Sequence, residues 1–204
     1  MPVIQDEIRS GNYMPSLVTI WLGANDAALP DGSMSEQHVP MAAYQNNLAQ
    51  LVRIFKAVAP DASILLVTPP HVDDEVQKTN AMNEEGRKKG LVSRSNKVTG
   101  EYARACVEIA SELGVPVLDL YSHFNDMSES ERNDLLVDGL HFDETGNDEV
   151  YRQLRDKINS DFPELSRKLD RWQFPRFEDW VETDPWTPEE STTVDFTSVR
   201  MRGR

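Results

Sequence analysis

Leu17-Val18-Thr19-Ile20-Trp21-Leu22-Gly23-Ala24-Asn25-Asp26 runs an apolar, β-rich segment straight into a Gly-x-Asn-Asp turn. A continuous apolar run of this kind predicts a parallel strand buried on both faces. Ser63 to Thr68, halted by Pro69-Pro70, reads as a second strand, and Val115 to Leu120 as a third. Helical periodicity lies between them. Pro40 can open a helix that stops near Pro60, with Tyr44, Leu48, Leu51, Val52, Phe55 and Val58 on one stripe. A longer helix is predicted from about Ser93 to Leu113, facing inward with Tyr102, Cys106, Ile109 and Leu113 and ending at Gly114. A last core helix spans about Thr145 to Asn159, and a short one runs from Pro2 to Gly11. The charged stretch from Asp73 to Gly90 reads as a solvated loop with room for a helical turn. Strands alternating with helices predict a parallel α/β sheet with right-handed crossovers, and a site beyond the carboxyl ends of its strands.

The chain has 204 residues, enough for one domain with a substantial core. Its net charge of −14 argues against nucleic acid and anionic membranes as partners. No apolar run reaches membrane-spanning length. The single cysteine, Cys106, excludes an intrachain disulfide and reads as a buried, inert thiol. With no secretory leader visible at Met1, a reducing compartment, the cytoplasm, is the expected location. The domain is expected to span residues 1–162. Trp172, Phe174, Phe177 and Trp180 suggest a strap over it at residues 163–186, and residues 187–204 read as a disordered tail.

Two motifs carry chemistry. In Asp138-Gly139-Leu140-His141-Phe142, the carboxylate can accept the imidazole Nδ1–H, fix the tautomer and leave Nε2 free as a base. The same spacing also suits a capped surface loop. In Gly23-Ala24-Asn25-Asp26, the glycine permits unusual backbone angles, and the neutral Asn25 amide can donate to a developing oxyanion. An Asn-Asp turn capping a helix is the competing reading. Two such motifs in order, each after a predicted strand of one sheet, favour an acyl-transfer site. Trp21, Leu29, His38 and Phe142 are candidates to line its pocket, although Trp21 also suits the sheet core. His71 and His123 read as structural or surface residues. Asp26, Asp138 and His141 lack a close third partner for a metal site, so no metal is expected.

Gly23-Ala24-Asn25-Asp26 and Asp138-Gly139-Leu140-His141-Phe142 resemble the Asn and His blocks of the SGNH, or GDSL-type, hydrolases. The continuation Ala27-Ala28-Leu29-Pro30, with Gln37-His38-Val39-Pro40 and Arg94-Ser95-Asn96, is similar to the isoamyl acetate-hydrolysing esterase branch. The similarity runs from Leu17 to about Trp180. It implies a three-layer, flavodoxin-like α/β/α fold, small acyl esters as substrates, and no metal or cofactor. By the same resemblance Asn25 is an oxyanion donor, Gly23 shapes its turn, His141 is the base and Asp138 orients it.

The family's serine lies in a Gly-Asp-Ser block on a first strand, for which the residues before Leu17 leave no room. Ser16, Ser33, Ser35, Ser63, Ser93, Ser122 and Ser128 lack that context, so no nucleophile is assigned. The parallel sheet is therefore expected to lack its first strands, which leaves the Leu17 to Leu22 strand as an apolar edge. A truncated gene model or isoform is the expected explanation, with little turnover by this chain alone. The alternative is a non-catalytic binding or regulatory form that pairs this edge with a partner strand. Water and alcohol acceptors are not separable from sequence, so transacylation stays open beside hydrolysis.

Overall fold

The computed structural model describes residues 2–169. Three parallel strands, β1 (Leu17–Trp21), β2 (Ser63–Val67) and β3 (Val117–Leu118), lie in the order β1-β2-β3. β1 pairs with β2 from Leu17 opposite Ser63 to Trp21 opposite Val67. The helices are α1 (Pro2–Arg9), α2 (Met41–Val58), α3 (Asp74–Asn83), α4 (Asn96–Leu113), α5 (Leu120–Asn125), α6 (Glu129–Asn133), α7 (Glu144–Asp161) and α8 (Pro163–Leu169).

Alternation along β2 divides the core in two, because successive side chains leave opposite faces of a strand. Ile64 and Leu66 join Tyr44, Leu48, Val52 and Phe55 of α2 and Tyr102, Cys106 and Ile109 of α4. Leu65 and Val67 join Leu120 and Phe124 of α5 and Val150 of α7. The result is a three-layer α/β/α arrangement. Ser95 caps α4 by accepting from Val98 N–H, and Gly114 ends it in the left-handed conformation.

Three expectations need correction. β1 is not buried on both faces: only Ile20 is fully covered, while Thr19 and Trp21 are exposed. β1 stands at the sheet edge, and among the described residues no strand pairs with its outer side. β3 is shorter than predicted because Pro116 has no N–H for the ladder and Asp119 already caps α5 by accepting from Ser122 N–H. The charged stretch after Asp73 contains a full helix, α3. Asp73 caps it by accepting from Glu75 and Val76 N–H, and its buried side is made by Gln77 and Ala81 rather than by an apolar stripe.

No helix among the described residues is long and apolar enough to cross a membrane. Residues 2–165 form one compact unit, and residues 166–169 fall outside it. Apart from α8, which opens the range read as a strap, the strap and tail read from the sequence lie outside the described residues.

Candidate active site

Gly23 ends the segment after β1 at a φ of 119°, a region that L side chains rarely adopt. A Cβ there would also meet Tyr44 Oη at 2.9 Å and the Pro69 ring at 3.1 Å. Tyr44 Oη donates to Leu22 O at 3.2 Å, so the turn is seated on the first turn of α2. Ala27 and Ala28, both fully buried, anchor its far side.

The turn presents Asn25, and Arg94 decides which way its amide points. Arg94 is 4% exposed. Its Nε donates to Ala24 O and one terminal nitrogen donates to Asn25 Oδ1, both at 2.8 Å. The same nitrogen donates to Gln37 Oε1. With its oxygen held by the guanidinium, Asn25 has only its NH₂ group left to offer a ligand. Burial lowers the Arg94 pKa from its ordinary value. The neighbouring Asn96 holds the Pro70 to Val72 loop, accepting from Val72 N–H at 3.1 Å.

The second motif is a tight turn between α6 and α7. Leu136 and Phe142 form an antiparallel bridge, Val137 N–H donates to His141 O, and Gly139 turns the chain at a φ of 80°. A Cβ on Gly139 would lie 2.8 Å from that of Val76, which presses the turn against α3. Asp73 N–H donates to Gly139 O at 3.0 Å, and Asn80 Nδ2 donates to Asp138 O at 3.3 Å. Asp138 Oδ1 accepts from the backbone N–H of both Leu140 and His141. Its Oδ2 lies 2.8 Å from His141 Nδ1. Partial burial pushes the Asp138 carboxyl upward, but the His141 backbone N–H, the His141 ring and the Leu140 N–H outweigh it and hold the group below its usual range. A carboxylate here makes Nδ1 the protonated nitrogen and leaves Nε2 as an acceptor.

Asn25 and His141 line one cleft of about 450 Å³. Trp21, Leu22, Pro70 and Phe142 give it a mostly apolar wall. Phe142 is fixed by Phe124, at a ring-centroid distance of 5.0 Å. Leu29 and His38 do not line this cleft: Leu29 N–H donates to Ser93 O, and His38 Nδ1 lies 2.7 Å from Ala28 O inside the Asn25 loop. No serine hydrogen-bonds to His141, whose ring has Asp138 as its partner among the described residues. Among the same residues no group of three or more His, Cys, Asp or Glu could hold a metal.

A sequence carrying both motifs on this sheet matches the GDSL-like lipase/acylhydrolase family over residues 4–149. The chain belongs to that family. A GDSL esterase/lipase of Arabidopsis thaliana is 35% identical over 160 residues, covering 78% of this chain and 64% of the relative. The human isoamyl acetate-hydrolyzing esterase 1 homolog is 34% identical over 169 residues, covering 81% and 65%. The lipase/acylhydrolase from Enterococcus faecalis superposes with a TM-score of 0.53 at 23% identity, covering 72% of this chain and 62% of that one, a likeness of fold. The chain thus spans a little under two thirds of the length of the two relatives.

Sequence reasoning did not single out Arg94 as the residue that holds the Asn25 amide. Its only signal was the string Arg94-Ser95-Asn96, and the structure joins that string to Gln37 of the other family string. Arg94→Lys supplies a point charge in place of a planar fork and is expected to release the Asn25 amide; where Asn25 is the oxyanion donor proposed below, kcat of a catalytically complete enzyme should fall by about 10²-fold. Combined with Asn25→Ala it should add little further loss, since the two residues act as one unit. Additive losses in kinetics of the single and double variants would reject the coupling.

His71, read as structural or surface, is fully buried against Phe124 and Phe142, with Nε2 2.7 Å from Arg132 O. Burial lowers its pKa from 6.5 to about 4. The unfolded chain therefore takes up a proton that the folded chain resists. Stability should be complete above pH 6.5 and fall as the pH drops towards 4, by on the order of 3 kcal/mol. Urea titrations of His71→Gln from pH 7 to 4 should show that part of the loss removed. An unchanged pH dependence would place the loss elsewhere.

Proposed function

We propose that these residues form the oxyanion donor and the base–carboxylate pair of a carboxylic-ester hydrolase acting on small acyl esters. The observation that carries the reading is the shared cleft: Asn25, aimed by Arg94, and His141, oriented by Asp138, both face it. In this reading a serine Oγ attacks the acyl carbon while His141 Nε2 takes its proton. The carbonyl oxygen becomes an oxyanion that accepts from the Asn25 NH₂ group. Collapse expels the alkoxide, which receives the proton from His141. Water repeats the sequence and releases the acid, or an alcohol takes the acyl group instead. The serine is the component that no described residue supplies at Nε2. The family relatives named for isoamyl acetate support an acetate-like acyl group, and the buried free thiol of Cys106 supports a reducing compartment, the cytoplasm.

The test is a chimera in which the part of the human relative that precedes its match to this chain is joined ahead of residue 13. Hydrolysis of p-nitrophenyl acetate by the folded chimera supports the reading. The free edge of β1, with Trp21 45% and Leu22 46% exposed, favours a second reading as a binding form that pairs with a partner strand. A folded chimera without turnover would reject the hydrolase and leave that second reading.

A further inference from the structure

On the other side of the Leu140-His141 segment lies a second cavity, of about 210 Å³, between the Ser33 loop, α3 and Ser93. Leu140 and His141 line both spaces, so the base borders each of them. Their chemistry differs. The second cavity is lined by polar side chains, two of them on buried residues, that keep hydrogen-bonding groups open to the cavity. Ser33 is 7% exposed, and its hydroxyl makes no hydrogen bond among the described residues. Gln77 is 6% exposed. Its Oε1 accepts from Ser93 Oγ at 2.7 Å, which leaves its NH₂ group without a partner there. Asn80 donates to Asp138 O and keeps its own amide oxygen free.

These are neutral donors and acceptors with no cation to spare, because Arg94 is held by Ala24, Asn25 and Gln37. Glu84 and Asp138 on the same wall repel an anion. An aliphatic group would strip water from Ser33 and Gln77 and leave them unpaired, which weakens its binding. We infer that this cavity holds the alcohol half of the ester, and that the alcohol is a neutral polyhydroxylated group, a sugar ring or polyol. The inference rests on the ester-hydrolase reading, with the acyl chain in the apolar cleft and His141 between the two halves.

The experiment needs no turnover. The 204-residue chain is titrated with methyl glucoside, and with cyclohexylmethanol as the apolar counterpart, while the side-chain amide signals of Gln77 and Asn80 are followed by ¹H–¹⁵N NMR. Saturable shifts with the glucoside are expected, and weaker or absent ones with cyclohexylmethanol. Ser33→Ala and Gln77→Leu should each weaken glucoside binding by roughly 3- to 10-fold. Ser33→Ala removes one exposed-to-cavity oxygen and keeps the fold, so it decides the matter if Gln77→Leu does not fold. Equal affinity for cyclohexylmethanol, no saturable glucoside shift, or unchanged binding by Ser33→Ala would each overturn the inference. An ester-hydrolysing chimera that binds no glucoside sinks the cavity assignment alone, whereas glucoside binding without ester turnover by the chimera sinks the hydrolase reading.

Discussion

His141→Ala in the serine-complete chimera is expected to lower kcat for p-nitrophenyl acetate by about 10⁴–10⁶-fold. The loss is large because, in the proposed mechanism, the imidazole serves twice, taking the serine proton during attack and returning it to the leaving alkoxide. Stability should hardly change. The side chain is 75% exposed and makes its hydrogen bond to Asp138 alone, while the turn is kept by its backbone through the Leu136–Phe142 bridge and the Asp138 Oδ1 contacts. Measuring kcat and the melting temperature together separates the two effects. A fall of less than tenfold would remove His141 from the chemistry, and an equal collapse in stability would make the loss structural.

Asn25→Ala should lower kcat by about 10²–10³-fold, the worth of one oxyanion donor, with KM little altered. In the proposed mechanism the donor meets charge only in the tetrahedral adduct, so its removal raises the barrier without weakening substrate binding. Asn25→Asp should be at least as damaging. A carboxylate would still accept from Arg94 but would turn its second oxygen, rather than an NH₂ group, towards the oxyanion. Steady-state kinetics of both variants test this. Retention of wild-type kcat by Asn25→Asp would show that the side chain is not the donor.

Both motifs were legible in the sequence because each is local. Gly23 to Asp26 and Asp138 to Phe142 are turns that also carry short-range contacts, Ala27 N–H to Gly23 O in the first and the Asp138–His141 pair in the second. The stripes of α2 and α4 were legible for the same reason, since helical periodicity is written within one segment. α3 was not, because Gln77 and Ala81 bury a polar amide and a methyl where an apolar stripe was sought. Arg94 was legible only as a matching string: the groups it holds, Ala24, Asn25 and Gln37, lie far away along the chain. The exposure of β1 follows from the same logic, for a run of apolar residues specifies a strand but not how many neighbours it will have. Leu29 and His38 sit in a loop that supports Asn25, so nearness in sequence to the site did not place them in the cleft.

The most direct test is a crystal structure of the chimera with its serine phosphonylated. The phosphonyl oxygen should accept from Asn25 Nδ2 at about 2.7–3.1 Å, with Asn25 Oδ1 still on Arg94 and His141 Nε2 at the serine oxygen. An adduct lying away from Asn25, or one facing an amide that has left Arg94, would contradict the account.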